Sequence, residues 1–106
     1  MKETIPLLNF LEDMKIAVPS KLSNRFILDL FNDDENFSST ADLPYDFIEE
    51  VSQRGDGSGY ETFWVFERKS DGKYFFYYSY DGRIEGYELE ETEKITNPQW
   101  GFECQY

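Results

Sequence analysis

Two turn signals nine residues apart constrain this chain more than any other feature. Ser70-Asp71-Gly72 and Asp81-Gly82 punctuate three strand-like runs, residues 60–68 (YETFWVFER), 73–80 (KYFFYYSY) and 83–90 (RIEGYELE). Glycine after Ser-Asp suits the left-handed position of a three-residue hairpin loop. Asp-Gly suits a two-residue type I′ turn, in which both central residues have positive φ. Two hairpin turns in succession predict a three-stranded antiparallel meander. Turn length also sets register. The two-residue turn predicts Tyr80 opposite Arg83, Phe76 opposite Tyr87 and Tyr74 opposite Leu89; the three-residue loop predicts Phe66 opposite Phe76 and Trp64 opposite Tyr78. One face then collects Trp64, Phe66, Tyr74, Phe76, Tyr78, Tyr87 and Leu89, and is the expected core. The other mixes Phe63, Val65, Phe75, Tyr77 and Ile84 with Glu61, Glu67, Glu88 and Glu90. Gly86 is expected to leave room for an aromatic ring over the backbone.

The first half predicts helices as cover for that sheet. Thr4 can cap a helix and Pro6 fits a first turn. Leu7, Leu8, Leu11 and Met14 recur at helical spacing, with an end near Ile16 ahead of Val18-Pro19. Residues 25–31 (RFILDLF) fit a buried strand or a helical turn, and length and β-branching favour strand. Residues 32–42 form a polar loop. Asp42 can cap a second short helix over 43–51, with Leu43, Phe47, Ile48 and Val51 as its apolar stripe, and glycine-rich residues 53–59 end it. Beyond 91–97, a charged connection, Trp100-Gly101-Phe102 and Tyr106 are read as a short final strand. The expectation is one α+β domain over residues 1–106, an antiparallel meander of three or more strands packed against N-terminal helices.

Charge narrows function. Acidic residues number 22 against 10 basic, a net charge of −12. Such a field repels nucleic acid and speeds encounter with basic proteins. Histidine is absent, which removes the usual serine and cysteine triads and histidine-containing metal sites. The single cysteine, Cys104, allows no intramolecular disulfide and has no histidine to activate it. No cofactor, metal or catalytic residue is expected. No apolar run is long enough for a membrane span or a signal-peptide core, so the expected compartment is the cytoplasm. Three strings invite functional readings that their context opposes. Asp56-Gly57-Ser58-Gly59 lacks the lysine of a phosphate loop and precedes a strand. Arg54-Gly55-Asp56 reads as a turn, and Asp33-Asp34-Glu35 lacks the spaced ligands and central glycine of a calcium loop.

The acids are clustered: Asp33, Asp34 and Glu35 are adjacent, and Glu85, Glu88, Glu90, Glu91 and Glu93 fall within nine residues. A charge run is ordinarily a solvated face, and charge on an edge strand also discourages unwanted pairing. Aromatic residues on the same surface add anchors that solubility alone does not need. The expected partner-binding residues are therefore Asp33, Asp34, Glu35, Glu67, Phe75, Tyr77, Glu85, Glu88, Glu90 and Glu91. Size, acidity, helix-then-meander order and absent catalytic groups together resemble bacterial immunity proteins encoded beside polymorphic or contact-dependent-inhibition toxins. Leu43-Pro44-Tyr45-Asp46-Phe47-Ile48, followed by the glycines of residues 55–59 and then strands, is similar to the pattern of the SUKH immunity superfamily. The resemblance implies a cytoplasmic inhibitor that occludes the Lys- and Arg-lined cleft of a toxin, such as a nuclease. It lends a class of function and no residue assignments. The same acidity is compatible with a nucleic-acid mimic that blocks a DNA-binding enzyme, or with an acidic adaptor or oligomerisation subunit.

Overall fold

A computed structural model describes residues 2–54, 59–84, 86–96 and 99–100. The sequence Asp81-Gly82 forms the expected turn, with φ of +51° and +76°, and Tyr80 faces Arg83 across it. Gly72 also takes the left-handed conformation, at φ +74°. The loop it closes is one residue longer than predicted. The Arg68 N–H bonds the Lys73 carbonyl at 2.8 Å, and the Gly72 N–H bonds the Arg68 carbonyl at 2.8 Å, so Lys69 to Gly72 all lie in the turn. That single residue shifts the pairing to Phe66 opposite Phe75 and Trp64 opposite Tyr77. Because side chains alternate with period two, the shift turns every β4 side chain to the other face.

The resulting architecture is α+β, an antiparallel sheet with two helices on one face. In chain order the elements are β1 (Thr4–Pro6), α1 (Leu7–Asp13), α2 (Asn24–Asn32), β2 (Tyr45–Arg54), β3 (Tyr60–Arg68), β4 (Tyr74–Tyr80), β5 (Arg83–Ile84), β6 (Glu88–Thr92), β7 (Lys94–Thr96) and β8 (Gln99–Trp100). The main sheet runs β1-β6-β4-β3-β2, with β5 also on β4; β7 and β8 pair separately. The predicted third strand is split. β5 holds the turn register for two pairs, and β6 resumes with Phe76 opposite Glu90. Residues 86 and 87 leave the ladder between them, so the predicted pairs of Phe76 with Tyr87 and Tyr74 with Leu89 do not form. The sheet gains β1 instead, whose Ile5 lies opposite Leu89.

Two sequence assignments exchange places. Residues 25–31 are helical, within α2. Ser23 Oγ accepts the Phe26 N–H at 3.1 Å as an N-cap, and Ile27, Leu30 and Phe31 form a buried stripe. The helix expected over 43–51 is strand β2. Its ladder slips between Phe47 and Glu49, leaving Ile48 as a bulge. The bulge moves the apolar positions from one face to the other, which is why Phe47, Ile48 and Val51 imitate a helical stripe. In α1 the buried set is Leu7, Phe10 and Leu11, followed by Met14 just past the helix, while Leu8 is exposed. Thr4 and Pro6 belong to β1 and not to the first helical turn.

The core lies between the helices and the front face of the sheet, formed by Tyr45, Trp64, Phe66, Phe75, Tyr77 and Leu89. Phe31 is its centre, with ring centroids 4.7 Å from Tyr77, 5.2 Å from Trp64 and 5.7 Å from Phe37. Phe10 adds an edge contact to Phe66 at 4.9 Å. Aromatic pairs in such geometries contribute beyond their buried area. Replacing Phe31 by Ala should cost about 3–5 kcal/mol, a large part of the roughly 5–15 kcal/mol that stabilises a domain. Urea unfolding checks this; a loss below about 1 kcal/mol would show that the ring is peripheral.

Candidate functional site

The basic side chains at the β3–β4 hairpin are occupied internally. The Arg68 guanidinium grips both oxygens of Glu3, at 2.6 and 2.9 Å, and both oxygens of Asp71, at 2.7 and 3.1 Å. Its side chain is 20% exposed and lies 4.9 Å over the Phe75 ring. Lys73 approaches Glu3 at 3.8 Å, and Lys69 approaches Asp46 at 3.5 Å. Three cations thus meet three carboxylates, a neutral group, and the net charge of −12 is carried by the rest of the chain. Hydrogen bonding from Arg68 holds Glu3 below the ordinary carboxylate value and lowers Asp71 to about 2. Together with the bond from the Glu3 N–H to Glu91 Oε1 at 2.9 Å, this group ties β1 to the sheet.

The back face of the sheet carries Glu61, Phe63, Val65 and Glu67 of β3, and Tyr74, Phe76, Tyr78 and Tyr80 of β4. Phe63, Val65 and Phe76 form a small second cluster with Ile48 and Val51 packed against it. Where the third strand breaks, this face opens into a cleft of about 440 Å³. Phe76, Tyr78 and Tyr80 contribute one side, and Gly86 to Glu88 with Glu90 the other. Glu88 and Glu90 flank Leu89, whose side chain is buried in the front core, so both carboxylates point to the back face and are exposed. Neither makes an ion pair or a side-chain hydrogen bond among the described residues. Arg83, opposite Tyr80, likewise makes no ion pair among them.

The cleft is held from beneath. The Tyr77 hydroxyl donates to the Gly86 carbonyl at 2.7 Å, and the Leu7 N–H donates to the Tyr87 carbonyl at 2.7 Å. Burial pushes the Tyr77 phenol above the ordinary tyrosine value, so it stays a donor. Tyr78 donates to the buried carboxylate of Glu61 at 3.1 Å. Tyr80 lies over Gly59, where an added Cβ would stand 2.6 Å from the phenol oxygen. A glycine does make room for an aromatic, but it is Gly59; a Cβ at Gly86 would meet nothing within 4 Å.

The predicted binding residues therefore separate. Glu88 and Glu90 come together at the cleft. Phe75 and Tyr77, expected on the open face, are core residues, 0% and 1% exposed; the one-residue loop extension puts them inside and leaves a partner nothing to touch. Glu91 is engaged by the Glu3 N–H. Glu67 is half-buried on the back face, opposite Tyr74 at the hairpin end. Asp33 and Glu35 belong to a 3₁₀ turn after α2, where the Asp33 carboxylate accepts the Glu35 N–H at 3.1 Å. Phe37 of that turn packs on Phe31 and Phe66, so this cluster sits on the helical side, across the sheet from Glu88. Asp34 shares the turn, as backbone. Glu85, Cys104 and the rest of the predicted final strand beyond Trp100 lie outside the described residues. Tyr78, Tyr80 and Tyr87 were missed; counting Lys69 into the first loop would have turned Tyr78 and Tyr80 outward.

Among the described residues, no three His, Cys, Asp or Glu side chains are placed to hold a metal ion, and no helix is long and apolar enough to cross a membrane. Compared with family models, with curated proteins and with solved structures, the chain matches none.

Glu3 and Asp71 have folded-state values depressed from ordinary values of 4.5 and 3.8. The stability they contribute is full above pH 4.5 and is lost as pH falls toward 2. Arg68→Met should lower the melting temperature at neutral pH, and its difference from the parent should shrink over that acid window. A difference independent of pH would assign the effect of Arg68 to packing on Phe75 instead.

Proposed function

We propose that this chain is a non-catalytic binding protein that neutralises a basic protein partner, acting in the cytoplasm as the immunity proteins it resembles do. The observation that carries the reading is the cleft at the broken third strand. Two exposed carboxylates without an ion pair among the described residues stand beside tyrosines on the sheet, while the lysines and arginine of the β3–β4 hairpin are consumed by Glu3, Asp46 and Asp71. A toxin that handles phosphates, such as a nuclease, lines its own cleft with Lys and Arg. Carboxylates of this chain would occupy phosphate positions there, and the aromatics would exclude water from the contact. Clustering of free carboxylates on one patch favours this over a nucleic-acid mimic, which needs phosphate-like spacing over a wide surface.

The upstream neighbouring gene should encode a large secreted protein with a variable C-terminal domain, and co-expression of this chain with that domain should restore growth. Association should be fast and should slow as salt rises, because screening removes the long-range attraction. Glu88→Lys with Glu90→Lys should reduce the association rate by about tenfold or more. No rescue of growth would overturn the immunity reading, and an unchanged rate would remove the cleft from the interface.

A further inference from the structure

We propose that the cleft receives one arginine side chain of the partner, its guanidinium stacked between tyrosines and forked across Glu88 and Glu90. The proposal rests on the basic-partner reading and goes further by naming the group recognised. Its walls are aromatic: Phe76, Tyr78, Tyr80 and Tyr87 surround a space of about 440 Å³, enough for a long side chain and the backbone bearing it. A planar, weakly hydrated cation stacks on such rings, whereas an ammonium holds its water and has no plane to stack. Glu88 and Glu90 alternate on one strand, which sets their backbone positions about 7 Å apart. A five-donor guanidinium can span two carboxylates, while a lysine neutralises one as a point charge. Tyr87, exposed at 56%, presents its ring at the cleft.

The site is also built in advance, which limits the ordering entropy lost on binding. Tyr77 and Leu7 pin the Gly86-Tyr87 segment from opposite sides of the break, at 2.7 Å each. Glu61 fixes the Tyr78 hydroxyl, and Gly59 fixes the position of the Tyr80 ring. Tyr77, Gly59 and Glu61 are positioning residues: Tyr77 lines the cleft from the buried side, and Gly59 and Glu61 set its rings without lining it. Their locations on β3, β4 and the approach to β3 make the cleft a product of the sheet register and not of a loop alone.

Titration of the ¹⁵N-labelled chain with N-acetylarginine amide tests this directly, read by amide shifts at Gly86 to Glu90. Saturable shifts are expected, about fivefold weaker with the lysine analogue and absent with the neutral isostere citrulline. Glu88→Gln with Glu90→Gln, both exposed and without structural partners among the described residues, should weaken arginine binding about tenfold. Gly59→Ala should weaken it through a displaced Tyr80 ring, with the Gly86 amide unshifted in the free protein. Equal shifts with arginine and lysine would overturn the guanidinium site while leaving the basic-partner reading intact. Shifts absent from residues 86–90, or centred on Asp33 and Glu35, would overturn the site itself, and the growth-rescue experiment then decides the broader reading separately.

Discussion

Everything on the sheet depends on the four-residue turn from Lys69 to Gly72. A hairpin loop one residue shorter would pair Phe66 with Phe76 and send Phe75 and Tyr77 outward. The observed loop does the reverse, and a period-two ladder transmits the choice along all of β4. Two aromatics of nearly equal hydrophobicity compete at each step, so composition cannot decide which goes inside. The turn decides it. Arg68 stabilises that turn from one side by bonding Asp71 and lies over Phe75 on the other, so the residue that ends β3 also marks the ring that must be buried.

The front face then has a complete helical cover. Phe31 and Phe10 fill the hollow between Trp64, Phe66 and Tyr77, and α1 is set in place by β1, which adds to the sheet just before the helix begins. The same β1 keeps β6 from being an exposed edge. Its anchor is ionic, through Glu3 and Arg68, and so the fold's most neutralised corner lies at the hairpin. The opposite consequence follows at the broken strand, where Glu88 and Glu90 carry charge that no ion pair among the described residues offsets. Structure and electrostatics thus divide the molecule into a self-satisfied end and an acidic, aromatic one.

Much of the fold was legible in the residues. Ser70-Asp71-Gly72 and Asp81-Gly82 announced the meander, and the φ values of Gly72, Asp81 and Gly82 carry out that chemistry. The α+β class followed. What failed has specific causes. A bulge at Ile48 disguised β2 as a helix by moving apolar residues between faces. A seven-residue window at 25–31 was too short to show the period of α2, although the Ser23 cap was present to be read. Loop length at Lys69 was ambiguous by one residue, and that ambiguity inverted Phe75, Phe76, Tyr77 and Tyr78 together. Of the ten residues expected to bind, Glu88 and Glu90 stand at the cleft, because they flank Leu89, whose burial in the front core turns both acids to the back face. The site's aromatics were assigned to the wrong faces, since register and not hydrophobicity distinguishes Tyr77 from Tyr78. The break after Ile84 had one visible sign, Gly86, but the register slip that makes the cleft requires β1 and α1 to pin Tyr87, a contact no local pattern contains.

The proposed basic partner would meet the chain at the broken third strand. Carboxyl footprinting by carbodiimide labelling, with the chain free and then bound to its partner, measures this most directly. Glu88 and Glu90 should become protected on binding while Asp33 and Glu35, on the helical side, label as before. Protection of Asp33 and Glu35 with Glu88 and Glu90 still reactive would contradict this placement.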